Sequence, residues 1–314
     1  NYDLFARLTN KQIIPVLKSN AYGHGIELVA KALKTRTFPY LAVDGYFEAL
    51  RIREVSKQPV LVMGAIKPEN FSKMHYDKFA FVVHDLATLK ALGDIGKKIP
   101  IHLEINTGMN RHGISPTDLS EFLGTLGQYP KLILEGVMSH LADSDGTKQA
   151  TVDAAVRLFD QAVDEVLRAG FSPRYIHVGK TAGSIKEKSR YSNTMRLGIG
   201  LYGINPFSSG HPKHKELVKL RPAHTLVSTI TKIHELQAGD KVSYNYTFTA
   251  PKAMRIGVLP LGYYEGVNRA LSISGVVRIG KKLAPIVGRV CMNPTMISLE
   301  SQRAIVGDEV IVYS

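Results

Sequence analysis

Short runs of apolar and β-branched residues recur along about the first two thirds of the chain, with amphipathic segments between them. Each run has the length of one buried strand. Eight runs are predicted as strands: 13–18, 40–45, 59–64, 79–85, 101–106, 134–140, 174–179 and 195–203. Since strand and helix alternate eight times, the pattern favours a (β/α)8 barrel. An open doubly wound sheet has the same alternation and remains the alternative.

Two of the intervening segments have clear helical periodicity. In residues 151–170 the apolar side chains fall on one helical face, and Gly170 is placed to end the helix. Residues 115–126 repeat this pattern after Ser115 or Thr117, either of which can cap a helix.

The pattern changes after residue 217, where helical periodicity ends. Five segments rich in β-branched residues follow, separated by Gly, Pro and Asp. They are 226–233, 253–264, 272–280, 284–292 and 304–314. We therefore predict a barrel domain over residues 1–217 and a smaller β-rich domain over residues 218–314.

Composition narrows the class of protein. The chain has 314 residues, of which 44% are hydrophobic and 21% charged, as in ordinary globular proteins. It contains no apolar run of the length that spans a membrane, and its first residues lack the pattern of a signal peptide. Its one cysteine, Cys291, rules out an intrachain disulfide. We expect a cytoplasmic protein without a membrane partner.

The formal net charge is +13, which fits either nucleic acid or small anionic ligands. The basic residues are scattered, apart from a short cluster at 211–219. We therefore expect no nucleic-acid partner.

Two glycine-containing segments resemble nucleotide-binding motifs but lack their context. Residues 198–203, GIGLYG, match G-x-G-x-x-G, yet they lie late in the chain and do not open a helix after the first strand. Residues 179–181, GKT, resemble the end of a P-loop, but Arg174 stands where the motif needs its first glycine.

The same two segments follow the last two predicted strands. Barrels often bind a phosphate with the loops at these positions. The backbone amides of Gly198 and Ile199, together with the hydroxyl of Thr181, are therefore predicted to bind a phosphate.

A lysine ends the first predicted strand, in the segment PVLKSNAYGHG at 15–25. The C-terminal ends of barrel strands form the active face, and a lysine there can form a Schiff base with an aldehyde. Pyridoxal phosphate has both an aldehyde and a phosphate, so it would explain Lys18 and the phosphate loops together. The alternative is a lysine that merely extends into solvent from the rim.

The segment around Lys18 closely resembles the cofactor-lysine motif of alanine racemases. Five more segments resemble motifs of that family, in the same order. They are INTGMNRHGI (105–114), RLGIGLYGINP (196–206), VSYNYTFTA (242–250), LGYYEG (261–266) and VGRVCMNPTM (287–296). The resemblance implies a barrel with a C-terminal β domain, pyridoxal phosphate as cofactor and no metal. It also implies a head-to-tail homodimer in which each active site uses both chains.

The resemblance further implies roles for individual residues. Lys18 would carry the cofactor as a Schiff base and act as one acid–base group, and Tyr244 from the other subunit would be the second. The other cofactor-binding residues would be Tyr22, His140, Thr181, Arg196, Gly198 and Ile199. The substrate-binding residues would be Arg111, Met292 and Tyr263.

These residue types suit racemisation, which removes a proton from one face of Cα and returns one to the other. Two bases on opposite faces achieve this without movement of either. Arg196 would face the pyridine nitrogen and disfavour its protonation, since arginine does not give up its own proton. Proton return at Cα should then be favoured over transamination. His140 would pack on the cofactor ring and join a hydrogen-bond chain from Arg196 to Tyr244.

Glu104 departs from the family pattern. Many alanine racemases have a lysine at the matching position, carbamylated to hold the carboxylate-binding arginine. Glu104 already has a carboxylate, so we predict that it replaces the carbamate and pairs with Arg111. Lys180 and Asn293 also depart from the pattern, and their roles stay open.

The expected reaction is the interconversion of L- and D-alanine, which would supply D-alanine for peptidoglycan. A racemase for serine or for a broad range remains an alternative, because one hydroxyl or methylene changes selectivity modestly. Amino-acid decarboxylases on the same barrel are a second alternative, and a cofactor-carrier protein without enzymatic activity is a third.

Overall fold

The computed structural model describes residues 1–300 and 303–313. The chain divides into two compact units, Asn1–Arg221 and Pro222–Ser314.

The first unit contains eight parallel strands. They are β1 (Gln12–Pro15), β2 (Leu41–Val43), β3 (Val60–Val62), β4 (Phe79–Val83), β5 (Ile99–Glu104), β6 (Leu132–Met138), β7 (Tyr175–His177) and β8 (Thr194–Leu197). Strands β2 to β7 pair in sequence order, and β1 pairs with β8. A parallel bridge between Val16 and Ala42 connects β1 to β2. The amide of Asn193 donates to the carbonyl of Ile176 at 3.0 Å and so connects β8 to β7. The strands therefore form a closed ring, which confirms the (β/α)8 barrel and excludes the open sheet.

Helices connect the strands. They are α1 (Tyr2–Thr9), α2 (Lys18–Tyr22), α3 (Ile26–Ala32), α4 (Tyr46–Val55), α5 (Leu86–Asp94), α6 (Leu119–Gly127), α7 (Gln149–Arg168) and α8 (Gly183–Lys186). Short 3-10 helices lie at Pro68–Lys73, Pro116–Asp118, Ile199–Tyr202 and His214–Leu217. The two helices predicted from periodicity are present as α6 and α7. Residues 116–118 form a separate 3-10 turn, in which the Ser115 side chain accepts from the amide of Thr117.

Alternate residues of the strands face two different environments. Residues such as Ile13, Val43 and Val60 pack with helix residues in the layer around the sheet. Their neighbours fill the inside of the barrel, and this smaller cluster comprises Ile14, Val16, Tyr40, Ala42, Leu61, Ala80, Val82, Met138 and Tyr175. By the same alternation His102 and Glu104 on β5, His177 on β7 and Arg196 on β8 face inward. All four are buried.

Gly136 on β6 leaves space for one of these inward side chains. A Cβ atom at this position would lie only 2.2 Å from Nδ1 of His102. We expect Gly136→Ala to lower the free energy of unfolding by about 1–3 kcal/mol, because the buried ring would have to move. The measurement is urea unfolding of both proteins.

The matched control is Gly124→Ala in α6, where an added Cβ meets no atom within 4 Å. This change should leave stability unchanged or raise it by up to about 1 kcal/mol, because alanine favours the helix. Equal effects of the two substitutions would contradict the proposed close approach.

The second unit is built from short strands. They are β9 (Leu226–Thr229), β10 (Lys232–Leu236), β11 (Lys241–Val242), β12 (Phe248–Thr249), β13 (Met254–Leu259), β14 (Val276–Ile279), β15 (Lys282–Pro285), β16 (Thr295–Ser298) and β17 (Glu309–Tyr313). They form antiparallel sheets in the orders β10-β13-β16, β11-β12 and β15-β14-β17-β9. The predicted β-rich C-terminal domain is thus confirmed as a fold.

One predicted strand of this unit, 284–292, is only partly present. β15 ends at Pro285, and Gly288 then adopts a φ of 70° that breaks the extended conformation. A Cβ at Gly288 would lie 2.6 Å from Cβ of Ser243, so the chain turns where the backbone passes closest to another segment. The last predicted strand, 304–314, corresponds to β17, and its final residue lies outside the described residues.

Within residues 1–300 and 303–313, no helix combines the length and the apolar character needed to cross a bilayer.

Candidate active site

The first unit has a pocket of about 430 Å³ at the C-terminal ends of its strands. Its volume lies in the range of small-ligand sites. Nine of the residues predicted to have functional roles line it: Lys18, Tyr22, Glu104, Arg111, His140, Thr181, Arg196, Gly198 and Ile199. All of them come from this unit alone. The structure therefore brings together residues that are separated by up to 181 positions in the chain.

Lys18 begins a tight turn immediately after β1. Residues 19–22 have φ values near +55°, so this turn of α2 is left-handed. Nζ of Lys18 lies 3.6 Å from a carboxylate oxygen of Asp44, which follows β2. The Lys18 side chain is 35% exposed, so its amine is available to a ligand in the pocket.

Side-chain hydrogen bonds hold this left-handed turn from outside. The amide of Asn20 donates to the Glu48 carboxylate at 3.2 Å, and the Asn20 side chain accepts from the amide of Ile26 at 3.0 Å. The same carboxylate accepts from the amides of Asp44 and Gly45. Glu48 on α4 therefore links the turn that carries Lys18 to the segment that carries Asp44.

The residues predicted to bind phosphate lie around the start of the 3-10 helix after β8. A Cβ at Gly198 would lie 2.9 Å from the hydroxyl of Tyr22, so only glycine leaves this space open. The Thr181 hydroxyl accepts from the amide of Gly200 at 3.2 Å. Burial raises the pKa of Tyr22, and its hydroxyl therefore stays protonated and able to donate. Two hydroxyls and a glycine-lined backbone can hold one phosphate group.

Arg196 is buried and held by the interior of the barrel. Its guanidinium donates to Nδ1 of His177 at 2.6 Å and to the carbonyl of His177 at 2.7 Å. It also donates to the carbonyl oxygens of Ser139 and Val178. Burial lowers its pKa to about 10, so the group is still charged at neutral pH.

The hydrogen bonds continue inward from Arg196 with a defined direction. Because Nδ1 of His177 accepts from the guanidinium, a neutral His177 carries its proton on Nε2. Nε2 lies 2.9 Å from Nδ1 of His102 and donates to it. These hydrogen bonds fix the plane of the Arg196 guanidinium. The sequence analysis did not predict them.

His140 lines the same pocket as Arg196, and its predicted part in a hydrogen-bond chain from Arg196 to Tyr244 stays a prediction. Among the described residues, the histidine that is hydrogen-bonded to Arg196 is His177. Burial and then the charges of Arg196, Arg111, Lys180 and Lys18 lower the pKa of His140 to about 3. The positive charge in this part of the pocket therefore belongs to Arg196 and not to His140.

Glu104 also has a partner other than the predicted one. Its carboxylate lies 2.8 Å from Nδ1 of His84, which follows β4, and no ion pair with Arg111 occurs among the described residues. Burial would raise the pKa of Glu104, but His84 and the charges of Arg196 and His112 outweigh it and leave the pKa lowered. The expected Glu104–Arg111 pair is thus replaced by a buried Glu104–His84 contact, and Arg111 lines the pocket without it.

Lys180 and Asn293, which depart from the family pattern, each contact a carboxylate side chain. Nζ of Lys180 lies 3.2 Å from Asp145, and both residues line the pocket. The Asn293 side chain donates to Glu265 at 2.8 Å in the second unit.

The remaining predicted residues lie in the second unit. Tyr244 and Met292 line one groove, and the amide of Tyr263 donates to the carbonyl of Cys291, another residue of that groove. Tyr244 is 69% exposed and Met292 is 53% exposed. A tyrosine hydroxyl and a backbone segment are therefore presented together on this surface.

Several residues in and beside the pocket were not predicted. Asp44 and His112 line it, and His84 and His177 contact the predicted residues Glu104 and Arg196. A partial signal exists, because His102, Glu104, His177 and Arg196 occupy alternate positions that strand periodicity directs inward.

The buried His102 has a consequence for stability. Burial, and then the charge of Arg196, lowers its pKa to about 3, whereas an unfolded histidine has a pKa near 6.5. Between these values the unfolded chain binds a proton that the folded chain does not. The free energy of unfolding should therefore fall as the pH decreases below about 6.5, and this contribution should be constant above about pH 7.

We expect His102→Gln to reduce the slope of the unfolding free energy against pH by about 1.4 kcal/mol per pH unit near pH 5. This is the contribution of one proton. The measurement is urea unfolding at several pH values, with His75→Gln, at an exposed position of the same unit, as the control. Equal slopes for wild type and His102→Gln would contradict the prediction.

The closed barrel, with a lysine and a glycine-containing loop at the C-terminal ends of its strands and a separate β unit after it, defines a class of two-domain barrel enzymes. Residues 1–206 match the family model described as "Alanine racemase, N-terminal domain", and residues 223–314 match "Alanine racemase, C-terminal domain". The chain belongs to the alanine racemase family, which confirms the resemblance seen in the sequence.

Individual relatives agree with this assignment. "Alanine racemase 2" of Caldanaerobacter subterraneus is 34% identical over 309 residues, which cover 96% of this chain and 79% of the relative. "Alanine racemase" of Sorangium cellulosum is 30% identical over 313 residues, which cover 96% of this chain and 81% of the relative. The solved structure of an alanine racemase from Clostridium difficile 630 superposes with a TM-score of 0.89 at 30% identity, covering 99% of this chain and 83% of that one. The protein is therefore an enzyme of the isomerase class.

Proposed function

We propose that this enzyme interconverts L- and D-alanine with pyridoxal phosphate bound in the barrel pocket. The observation that carries the proposal is the meeting of three groups in one pocket of an alanine racemase-family chain. They are the amine of Lys18, the buried guanidinium of Arg196, and the space between Tyr22 and Gly198.

The chemistry of these residues fits the cofactor. The space beside Gly198, which a Cβ would fill, suits a phosphate oxygen held by Tyr22, Thr181 and the backbone of Ile199. Lys18 is the amine that reacts with an aldehyde. When bound, the cofactor withdraws electrons from the substrate and makes its Cα–H bond more acidic.

The residues of the chain then have distinct tasks. Lys18 moves a proton at one face of Cα. Arg196, held by His177, Ser139 and Val178, stays charged and would face the pyridine nitrogen, where it would disfavour protonation. Arg111 would bind the substrate carboxylate, and the neutral His140 would pack against the cofactor ring.

We propose that the second base, Tyr244, comes from the partner subunit of a homodimer. Its high exposure, together with that of Met292, supports a role that is completed by another chain. In this arrangement the backbone amide of Met292 helps to place the substrate carboxylate, and Tyr263 lines the entry.

The proposed biological role is the supply of D-alanine for peptidoglycan. The proposed compartment is the cytoplasm, which suits a chain with a single cysteine.

The test is incubation of the purified protein with pyridoxal phosphate and L-alanine in deuterated water, followed by chiral chromatography with mass detection. D-alanine that carries deuterium at Cα is the expected product. Formation of D-serine from L-serine, without D-alanine from L-alanine, would identify serine as the substrate. Release of carbon dioxide from lysine or ornithine would indicate a decarboxylase. No reaction with any of these amino acids would contradict the proposed function.

A further inference from the structure

Three potential metal ligands converge beside the barrel pocket, and two of them, Glu104 and His112, line it. His84 directly follows β4, Glu104 ends β5, and His112 lies in the loop after β5. One nitrogen or carboxylate oxygen from each of them lies within 4.8 Å of those from the other two. His84 and Glu104 are more than nine-tenths buried, whereas His112 is exposed. Two histidines and one carboxylate with an open side are a common set of ligands for a transition-metal ion.

The hydrogen bonding of His84 determines which of its ring nitrogens can bind a metal ion. Its Nε2 lies 3.0 Å from the carbonyl oxygen of Met63, which can only accept, so Nε2 carries a proton. Nδ1 is buried and makes no aligned hydrogen bond to any described residue, although the Glu104 carboxylate is 2.8 Å away.

Nδ1 is therefore the ring nitrogen that faces the Glu104 carboxylate. A metal ion bound by both atoms would lie beside the 2.8 Å line that joins them and would displace any proton that they share. Metal-bound histidines characteristically donate their other ring nitrogen to a backbone carbonyl, as His84 does to Met63.

We propose that Nδ1 of His84, the carboxylate of Glu104 and the imidazole of His112 bind one divalent transition-metal ion of the zinc type. The two nitrogen ligands favour zinc, cobalt or nickel over magnesium and calcium, which prefer oxygen. The positive charges of Arg111 and Arg196 nearby oppose any cation, so only an ion that coordinates nitrogen strongly is retained.

The site is separate from the residues that bind the cofactor, but it shares the pocket with them. Glu104 and His112 line the same cavity as Lys18 and Arg111. Three protein ligands leave a fourth position for solvent or a substrate carboxylate. A bound ion also fixes His112, the neighbour of Arg111 in the chain, and so connects metal occupancy with substrate binding.

The test is zinc binding to the full chain, without an affinity tag and with its cofactor, after dialysis against a chelator. Equilibrium dialysis with Zn²⁺ and elemental mass spectrometry should show one tightly bound ion per chain. His112→Ala and Glu104→Gln should each weaken binding by at least about 100-fold, since even outer-shell changes cost 10- to 100-fold. His75→Ala, which removes an exposed histidine of the same unit, should leave the affinity unchanged.

X-ray absorption at the zinc edge should show two imidazole ligands in the wild type. Because His112 is exposed, its replacement tests the site without loss of the fold, which circular dichroism verifies. Absence of tight zinc binding, or tight binding that neither substitution weakens, would overturn the proposal. Since binding is measured directly, either result is independent of whether the protein racemises alanine.

Discussion

Lys18→Ala is expected to abolish racemisation, with a loss in kcat of at least about 10⁴-fold. The substitution removes both the amine that holds the cofactor and one of the two groups that move the Cα proton. Lys18 is the residue that the left-handed turn after β1 presents to the pocket, beside Asp44. The rate of D-alanine formation, measured by chiral chromatography, gives the size of the loss.

The position of the cofactor provides an independent readout. After borohydride reduction, peptide mass spectrometry should find the cofactor attached to Lys18 in the wild type and to no residue in the variant. Lys31→Ala on the exposed face of α3 is the matched control and should retain full activity. An adduct on another lysine would show that the amine has been misassigned.

Tyr244→Phe should lower racemisation by about 10²–10⁴-fold, the range for loss of one acid–base group. The substitution keeps the ring and removes only the hydroxyl, so the exposed groove of the second unit should stay intact. Because Lys18 remains, one alanine enantiomer should still exchange its Cα proton with deuterated water without inversion. Loss of exchange for both enantiomers would argue against two separate bases.

The two inactive variants together test whether the site is shared between chains. When Lys18→Ala and Tyr244→Phe proteins are mixed and allowed to reassociate, about half the dimers are mixed. Each mixed dimer has one site with both native groups, so activity should recover to about a quarter of the wild type. If both groups of a site come from the same chain, mixing restores nothing.

The barrel could be predicted because parallel strands covered on both faces form short apolar runs separated by helices. The polar interior could not be predicted as a network. His102, His177 and Arg196 come from three different strands, and their contacts depend on how the ring closes between β7 and β8. Alternation indicates that such side chains face inward, but it does not identify their partners, which is why the contact between Arg196 and His177 was not predicted.

The partner of Glu104 illustrates the same limit. The sequence directed attention to Arg111, which lies only seven positions away. The structure gives His84, because β4 and β5 are adjacent and Val83 pairs with Leu103. The next residues of both strands, His84 and Glu104, therefore meet at the rim. Successive strands of a barrel are neighbours, so this contact could have been found by aligning the strand ends.

In the second unit, the strand boundaries were harder to predict than the β-rich character, because turns interrupt segments that have the composition of strands. The segment 284–292 has the composition of a strand, but the positive φ of Gly288 ends it. The short strands β11 and β12 contain only two residues each and leave no periodic pattern.

The left-handed turn at residues 19–22 means that the reactive amine rests on a strained segment. In L-amino acids this conformation costs about 1–2 kcal/mol per residue, so the four residues together store about 4–8 kcal/mol. Contacts from elsewhere must offset this energy, and Glu48 on α4 supplies one of them to Asn20. The place of Lys18 in the pocket is therefore set by the fold around the turn as much as by the residues of the turn itself.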